Sequence, residues 1–515
     1  MTRGSIRFWR GLCAALDGVR GLLRRKGRGS AAFLSSWHRW RLLSEHHEGF
    51  LLDGVWRALS RKASFQSVLV VGGVGKGKTT GLCIPNLFHL RQASLVVIDT
   101  SGELFEQTSG ALAAQGRGIE VLDLMDPGQG MGYNPFARCT TLLERHRACA
   151  ALVQAASLNA SDPFWDDGAT KVLRVLSSAL YAQDPAQCHP GNLRSLLAHF
   201  DVFSAAPGTS VLDRYMAETT RHAPALWEDY RTLVNGNPNT VLSFVSTADT
   251  ALTALASPEI ARLTAQTTFD FQSLRKRPTV LYVKVNEQDV GFYRFILNLF
   301  FTDLFGALRE HIPQGDELDV YCLLDEFGQL KLPEFDTVIA TARKYRVGAM
   351  IFLQSLAQLE DRYGRAKART IRDALQTEVY FGGIDLDLAK ELERRLGRER
   401  IALEQQGQRV HREENLMNED AIIKIPDNTL MVFHSNMSGF LQRFTPFYRR
   451  KALRQATQVP PIPMAEQPRV VPTIAPDLER IRALSDHRGR DCARGAHRQA
   501  KTADRARLDD IAVVL

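Results

Sequence analysis

The stretch of this 515-residue chain most able to do chemistry is Gly72-Gly73-Val74-Gly75-Lys76-Gly77-Lys78-Thr79, with Thr80 after it. It fits the pattern G-x-x-x-x-G-K-[ST]. Glycines let successive backbone N–H groups turn inward around phosphate oxygens, and a following helix adds the positive end of its dipole. The pattern gives Lys78 the β- and γ-phosphates and gives the Thr79 hydroxyl a place on Mg²⁺. An apolar strand-like run, Val68–Val71, precedes the loop and a helical run, 82–90, follows it. Such a loop needs one carboxylate on the metal side and a second to orient attacking water. Asp325 and Glu326 supply both at the end of the apolar run 318–324, the strand end where open α/β sheets bind ligands. Gln354, after the next apolar run Val347–Leu353, is placed to sense the γ-phosphate. Taken singly, these are a Gly-rich turn, a strand-end acid pair and a turn residue. Together they read as an ATP- and Mg²⁺-dependent site.

The elements that position these residues read as α/β. Short β-branched runs at 67–71, 95–99 and 119–122 alternate with helical segments, the pattern of parallel βαβ units. The strand signal fades between 136 and 262, where 141–156, 168–181, 192–201 and 212–234 read as helices. It returns at 279–285, 320–325, 347–353, 378–381 and 429–433. The predicted organisation is a basic segment over 1–62, a split sheet domain over 63–135 and 263–455, an inserted all-helical domain over 136–262, and a Pro-rich, charged, flexible tail over 456–515.

The composition, 44% hydrophobic and 24% charged, is that of a globular protein and excludes a multi-span membrane chain. The net charge of +8 is concentrated at one end. Residues 1–62 carry 13 Lys+Arg and 4 Asp+Glu, so the other 453 sum to about −1. The apolar residues of 6–23 recur at helical spacing, as in a basic amphipathic helix on an anionic membrane or a helix packed on protein. Seven scattered cysteines without a C-x-x-C pair predict reduced thiols and no zinc site. No segment has the apolar length of a membrane span, and no secretory signal is evident, so the expected location is cytoplasmic.

Further short motifs accompany the loop and acid pair: Ile84-Pro85-Asn86-Leu87, Val97-Ile98-Asp99-Thr100-Ser101-Gly102-Glu103, Tyr133-Asn134-Pro135-Phe136, Phe164-Trp165, Leu324-Asp325-Glu326-Phe327, 353–359 and Tyr363-Gly364. In this order, from about residue 29 to 448, the sequence resembles the type IV secretion coupling proteins, ATPases that feed conjugative DNA and protein substrates into a secretion channel. The resemblance implies a RecA-like P-loop motor with a mostly parallel sheet, an inserted helical domain that selects cargo, and a homohexameric ring around a channel. It also implies that Arg343, 11 positions before Gln354, reaches a neighbouring subunit's γ-phosphate, with Arg346 as the nearby competitor.

Expected partners follow from the same resemblance: single-stranded DNA with its relaxase, or protein cargo, and the channel components. Two features depart from the family pattern. Thr100-Ser101 stands where the family often has Pro-Lys, and no membrane-spanning helices are visible at the N-terminus. The second implies a separate membrane anchor protein or peripheral docking by residues 1–28 at the cytoplasmic face of the inner membrane. Arg275-Lys276-Arg277 reads as a short surface loop. The alternatives are a chromosome-segregation or packaging motor, disfavoured by the helical insertion, and an ATP-binding platform that recruits cargo with little turnover.

Overall fold

Seven short apolar runs form the parallel part of a nine-stranded sheet: β1 (Val68–Val71), β2 (Ser94–Asp99), β3 (Gly118–Asp123), β4 (Thr279–Lys284), β5 (Val320–Leu324), β6 (Val347–Leu353) and β7 (Thr377–Tyr380). Two antiparallel strands, β8 (Thr429–His434) and β9 (Phe440–Arg443), extend one edge. The order across the sheet is β9-β8-β7-β1-β6-β5-β2-β4-β3. Every residue of β1, β2, β5 and β6 is buried, because helices cover both faces, and this is why these strands read as unbroken apolar runs rather than alternating ones.

The computed structural model describes residues 30–156, 163–201, 210–332, 334–405, 408–466 and 471–483. It divides into two units. The sheet belongs to Met1–Asp126, Asp270–Gly291 and Phe301–Met464; the second comprises Pro127–Phe269, Phe292–Phe300 and Ala465–Leu515. The second unit is built mainly of helices, among them Leu142–Ala156, Pro163–Gln183, Pro190–Leu197, Val211–Thr219, Pro224–Val234, Pro238–Ala251 and Pro258–Leu263. Proline opens five of these seven, using its fixed φ where the first-turn N–H has no helical acceptor. Pro224 divides the single helix expected over 212–234 into two.

Three expectations change. The segment 1–62 is not uniformly a basic appendage. Leu43–Ser44 pairs with Ala58–Leu59, and Phe50, Leu52 and Leu59 are buried in the core of the sheet unit. The tail expected to be flexible from 456 is partly packed. Ile462 and Met464 pack against the same core, and Ile474, Leu478 and Ile481 are buried in the second unit, where the His189 ring meets the Pro472 carbonyl at 2.7 Å. Ile474, Leu478 and Ile481 stand at i, i+4 and i+7, a helical spacing too short to stand out among the prolines and charges around it. Arg275 is no surface residue either. It is 2% exposed, and its guanidinium donates to the carbonyls of Leu318, Leu308 and Tyr345, which anchor the chain below β5 and β6.

The expected helix within 1–28 and the charged end 484–515 lie outside the described residues. Cys83, Cys139, Cys149, Cys188 and Cys322 are buried and form no disulfide among the described residues, while Cys13 and Cys492 lie outside them. No helix among the described residues is long and apolar enough to cross a membrane.

Candidate functional site

The loop Gly72–Thr79 leaves the carboxyl end of β1, with the Gly72 N–H bonded to the Leu353 carbonyl at the end of β6. Gly75 and Gly77 have φ of 72° and 94°, a left-handed backbone that costs a side-chain-bearing residue about 1–2 kcal/mol. Those two positions therefore need glycine for the loop to close. Gly73, Val74, Gly75 and Lys76 form its outer rim, with Val74 79% exposed. Lys78 is buried to 6% exposure, its ammonium donating to the carbonyls of Gly72 at 2.7 Å and Gly73 at 3.2 Å.

Thr79 and Thr80 begin one wide π-helical turn, Thr79–Cys83, before the α-helix Ile84–His89. Asn86 fixes that helix. Its amide donates to the carbonyls of Leu51 and Leu82 and its oxygen accepts from the Leu51 N–H, all at 2.8–2.9 Å. The Ile84–Leu87 motif is thus a clamp on the loop's helix rather than a ligand contact.

Asp325 follows β5, two strands from β1 across β6. Its Oδ2 accepts from the Thr79 hydroxyl at 3.1 Å. Burial, with the charge of Glu326 adding to it, pushes the Asp325 carboxyl up to about 6; the bonds from Thr79 and the Glu326 N–H, and the charge of Lys78, hold it down. A hydroxyl and a carboxylate oxygen side by side are the hard donors that Mg²⁺ takes, so these residues fit that ion.

Glu326 sits in the left-handed region at φ 46°, uncommon for a residue with a side chain, and its N–H donates to Asp325 Oδ1 at 3.1 Å. Its Oε2 accepts from Gln354 Nε2 at 2.9 Å, and the Gln354 N–H is held by Gln358 Oε1 at 3.0 Å. The structure therefore brings Lys78, Thr79, Asp325, Glu326 and Gln354 together at the carboxyl ends of β1, β5 and β6.

It does not bring Arg343 to them. Arg343 is exposed on the turn Arg343–Tyr345 at the opposite, amino end of β6, and among the described residues its guanidinium makes no hydrogen bond or ion pair. Seven residues of strand separate it from Gln354, roughly 20 Å along the sheet. Arg346 is committed elsewhere. Its Nε donates to Asp319 at 2.7 Å, and the other face of that carboxylate takes a bidentate bond from Arg61 at 2.6 and 2.8 Å.

One residue of the site escaped a role in the sequence. Ile98 pairs with Leu324, which places Asp99 beside Asp325 at the ends of neighbouring strands. Asp99 is 1% exposed; its Oδ2 accepts from the Phe105 N–H at 2.8 Å, and its Oδ1 is buried without a partner. The Cys83 thiol feels both acids: burial pushes it up, and the charges of Asp325 and Asp99 add to the effect. An aspartate ending an apolar run was the visible signal, but register alone shows which strand it neighbours. Near the same motif stands Lys284. It pairs with Asp123 at 2.5 Å and lies 3.7 Å from where a Cβ on Gly102 would stand.

Strand order, loop and acid pair define a RecA-like P-loop nucleotide-binding protein. Known proteins narrow the class. The family described as Type IV secretory system Conjugative DNA transfer matches residues 41–467, and the chain belongs to it. Protein VirD4 of Rhizobium rhizogenes is 27% identical over 328 residues, 62% of this chain and 47% of its own. Protein VirD4 of Agrobacterium fabrum is 28% identical over 328 residues, with the same coverage. The chain spans about half the length of the curated relatives it matches.

Among solved structures, the bacterial conjugative coupling protein TrwBdeltaN70 in an unbound monoclinic form superposes with a TM-score of 0.63 at 18% identity. That match covers 82% of this chain and 94% of that one. The plasmid coupling protein TrwB in complex with ADP and Mg²⁺ gives 0.62 at 19% identity, covering 85% and 98%. At these identities the structural likeness carries the fold.

Proposed function

We propose that this chain is an ATP-hydrolysing coupling protein that drives conjugative DNA, with its relaxase, or protein cargo into a type IV secretion channel. The observation that carries the reading is the pair of bonds Thr79–Asp325 and Glu326–Gln354, which join the phosphate loop's metal side to an oriented carboxylate. The loop N–H groups and Lys78 bind the triphosphate. Thr79, and Asp325 through water, would hold Mg²⁺, which would offset negative charge on the phosphates. Glu326, steadied by Gln354, takes a proton from water. The water oxygen attacks the γ-phosphorus, the bond to the β-γ bridging oxygen breaks, and its electron pair leaves with ADP. Products are ADP and inorganic phosphate.

Arg343, far from its own loop and exposed, is suited to reach the γ-phosphate of the next subunit and stabilise the charge that develops there. This supports a homohexameric ring in which each site is completed across an interface. The second unit would select cargo. The ring would stand at the cytoplasmic face of the inner membrane, with a separate anchor protein or with docking by its own N-terminal region. Phosphate release by the wild type, Lys78→Ala and Glu326→Gln, with single- and double-stranded DNA at several salt concentrations, tests the reading. Turnover stimulated by single-stranded DNA and lost in both variants is expected. Turnover unchanged by either substitution would overturn the motor. A wild type that binds ATP with negligible turnover would support the docking platform instead.

A further inference from the structure

A cleft of about 820 Å³ opens at the amino ends of β2, β5 and β6, the end of the sheet away from the phosphate loop. That is room for a small organic ligand, whose sites run from about 300 to 1,000 Å³. Arg61, Asp319 and Arg346 form one wall, and their charges are already paired: both guanidiniums bond Asp319, and Arg346 also donates to the Glu317 carbonyl. Two neutral groups beside them are not satisfied. Tyr321 is 1% exposed, its ring fixed edge-on to Phe50 at 5.0 Å and stacked on Phe65 at 5.7 Å, and its hydroxyl is buried without a partner. Burial pushes that hydroxyl's titration up, Asp319 and Glu48 add to the effect, and Arg61 and Arg346 oppose it, so the charges around it are those of the cleft. His89, also in the wall, is pushed down by burial and stays neutral. The Gly49 backbone bonds one ring nitrogen, and the other, Nε2, is buried with no partner.

Buried polar groups left unsatisfied cost stability, and a ligand that completes them recovers it. The rest of the lining decides the ligand's chemistry. Five carboxyl groups, those of Glu45, Glu48, Asp316, Glu317 and Asp319, stand against three guanidiniums, so the cleft repels anions. With Arg61 and Arg346 held on Asp319, Arg91 is the remaining guanidinium, while Glu45, Glu48 and Asp316 are exposed. The phenol oxygen and the imidazole nitrogen accept hydrogen bonds as well. A wall of acceptors calls for a ligand made of donors. An alkylammonium group brings three N–H donors and a positive charge on an apolar stem. We propose that this cleft binds an aliphatic polyamine, with one ammonium between Glu48 and the Tyr321 hydroxyl and another at Asp316. The site lies at the opposite end of the sheet from Lys78, Thr79 and Asp325, so it takes its ligand without displacing a nucleotide. It stands independently of the motor reading.

The test is isothermal titration calorimetry of the full chain with spermidine at pH 8 and constant ionic strength, with magnesium chloride as the competitor. The wild type is expected to bind spermidine saturably, and Asp325→Asn to bind it equally well. Glu48→Gln/Asp316→Asn should weaken binding about tenfold or more, since two charge-assisted bonds are lost. Its thermal melt should match the wild type, because both side chains are exposed. Tyr321→Phe should weaken binding about fivefold. Without spermidine that variant should melt at or above the wild-type temperature, because the hydroxyl it removes has no partner in the fold. Affinity unchanged in the double variant or in Tyr321→Phe would overturn the inference, as would the absence of saturable binding at millimolar spermidine. Equal displacement by Mg²⁺ would reduce the attraction to diffuse charge and reject the site. Loss of binding in Asp325→Asn would put the amine on the acid pair of the nucleotide site instead.

Discussion

The two ends of the parallel sheet carry similar charged residues and use them in opposite ways. At the amino end, Asp319 is saturated by Arg61 and Arg346, and Arg275 spends its guanidinium on backbone carbonyls. Each buried charge there has its partners, and the result is a structural clasp. At the carboxyl end, Asp325 is buried with a carboxyl pushed up to about 6, Asp99 keeps an unpartnered oxygen, and Glu326 stands on a strained backbone. Incomplete satisfaction of buried polar groups costs stability, and proteins retain it where a ligand completes the set. The contrast separates chemistry from support better than charge or burial does alone. Arg343 is the exception at the amino end, an arginine left out of the clasp.

The largest test of the contrast concerns that exception. Arg343→Ala should lower turnover by about 10³ or more while leaving the thermal melt unchanged. Mixing it with Lys78→Ala subunits should restore part of the activity, because some interfaces then unite an intact loop with an intact arginine. No recovery on mixing, in rings shown to exchange subunits, would place Arg343 outside a neighbour's site.

Breaking the clasp should act on the fold instead. Asp319→Ala leaves Arg346 and the half-exposed Arg61 without their carboxylate and should cost about 3 kcal/mol in denaturant unfolding. A loss near zero would mean water replaces the partner.

The third test concerns pH. The folded Asp325 carboxyl titrates near 6 against about 3.9 in an unfolded chain. Between those values the native state holds the extra proton, so its contribution to stability falls as pH rises, and the full cost is present above 6. In the absence of metal and nucleotide, Asp325→Asn should be more stable than wild type by roughly 3 kcal/mol at pH 8. That gain should vanish below pH 4. A gain independent of pH would remove the titration as its cause.

The smallest expected effect is at Gln354. Removing its amide by Gln354→Ala frees Glu326 without deleting the base and should reduce turnover about tenfold, with ATP affinity unchanged. A loss as large as that of Glu326→Gln would give Gln354 its own contact with the nucleotide.

Much of this was legible from residues alone. The strands within the sheet are buried on both faces, so their sequences show as continuous apolar runs, and their positions were read to within a residue or two. Strand β9 was not, because it is short and only partly buried. The hairpin Arg398–Gln405 with Gln408–Asn415 was not, because charged and polar residues outnumber its few apolar ones, Ile401, Leu403 and Val410. The Thr79–Asp325 contact was anticipated because a phosphate loop requires such a partner. The commitment of Arg346 to Asp319 and the burial of Arg275 were not, because a guanidinium gives no sign in sequence of which carbonyls or carboxylates will surround it.

Local pattern was enough to determine the phosphate loop, the acid pair, the apolar strands and the concentration of positive charge near the N-terminus. These depend on spacing along one chain, on backbone freedom at glycine and on the period of burial. Tertiary structure decided the rest: that Asp99 stands beside Asp325, that Glu326 meets Gln354, and that Arg343 lies at the opposite end of β6 from its own loop. Each of these depends on strand order and register, which join residues tens or hundreds of positions apart, and no local pattern encodes which strand will lie beside which.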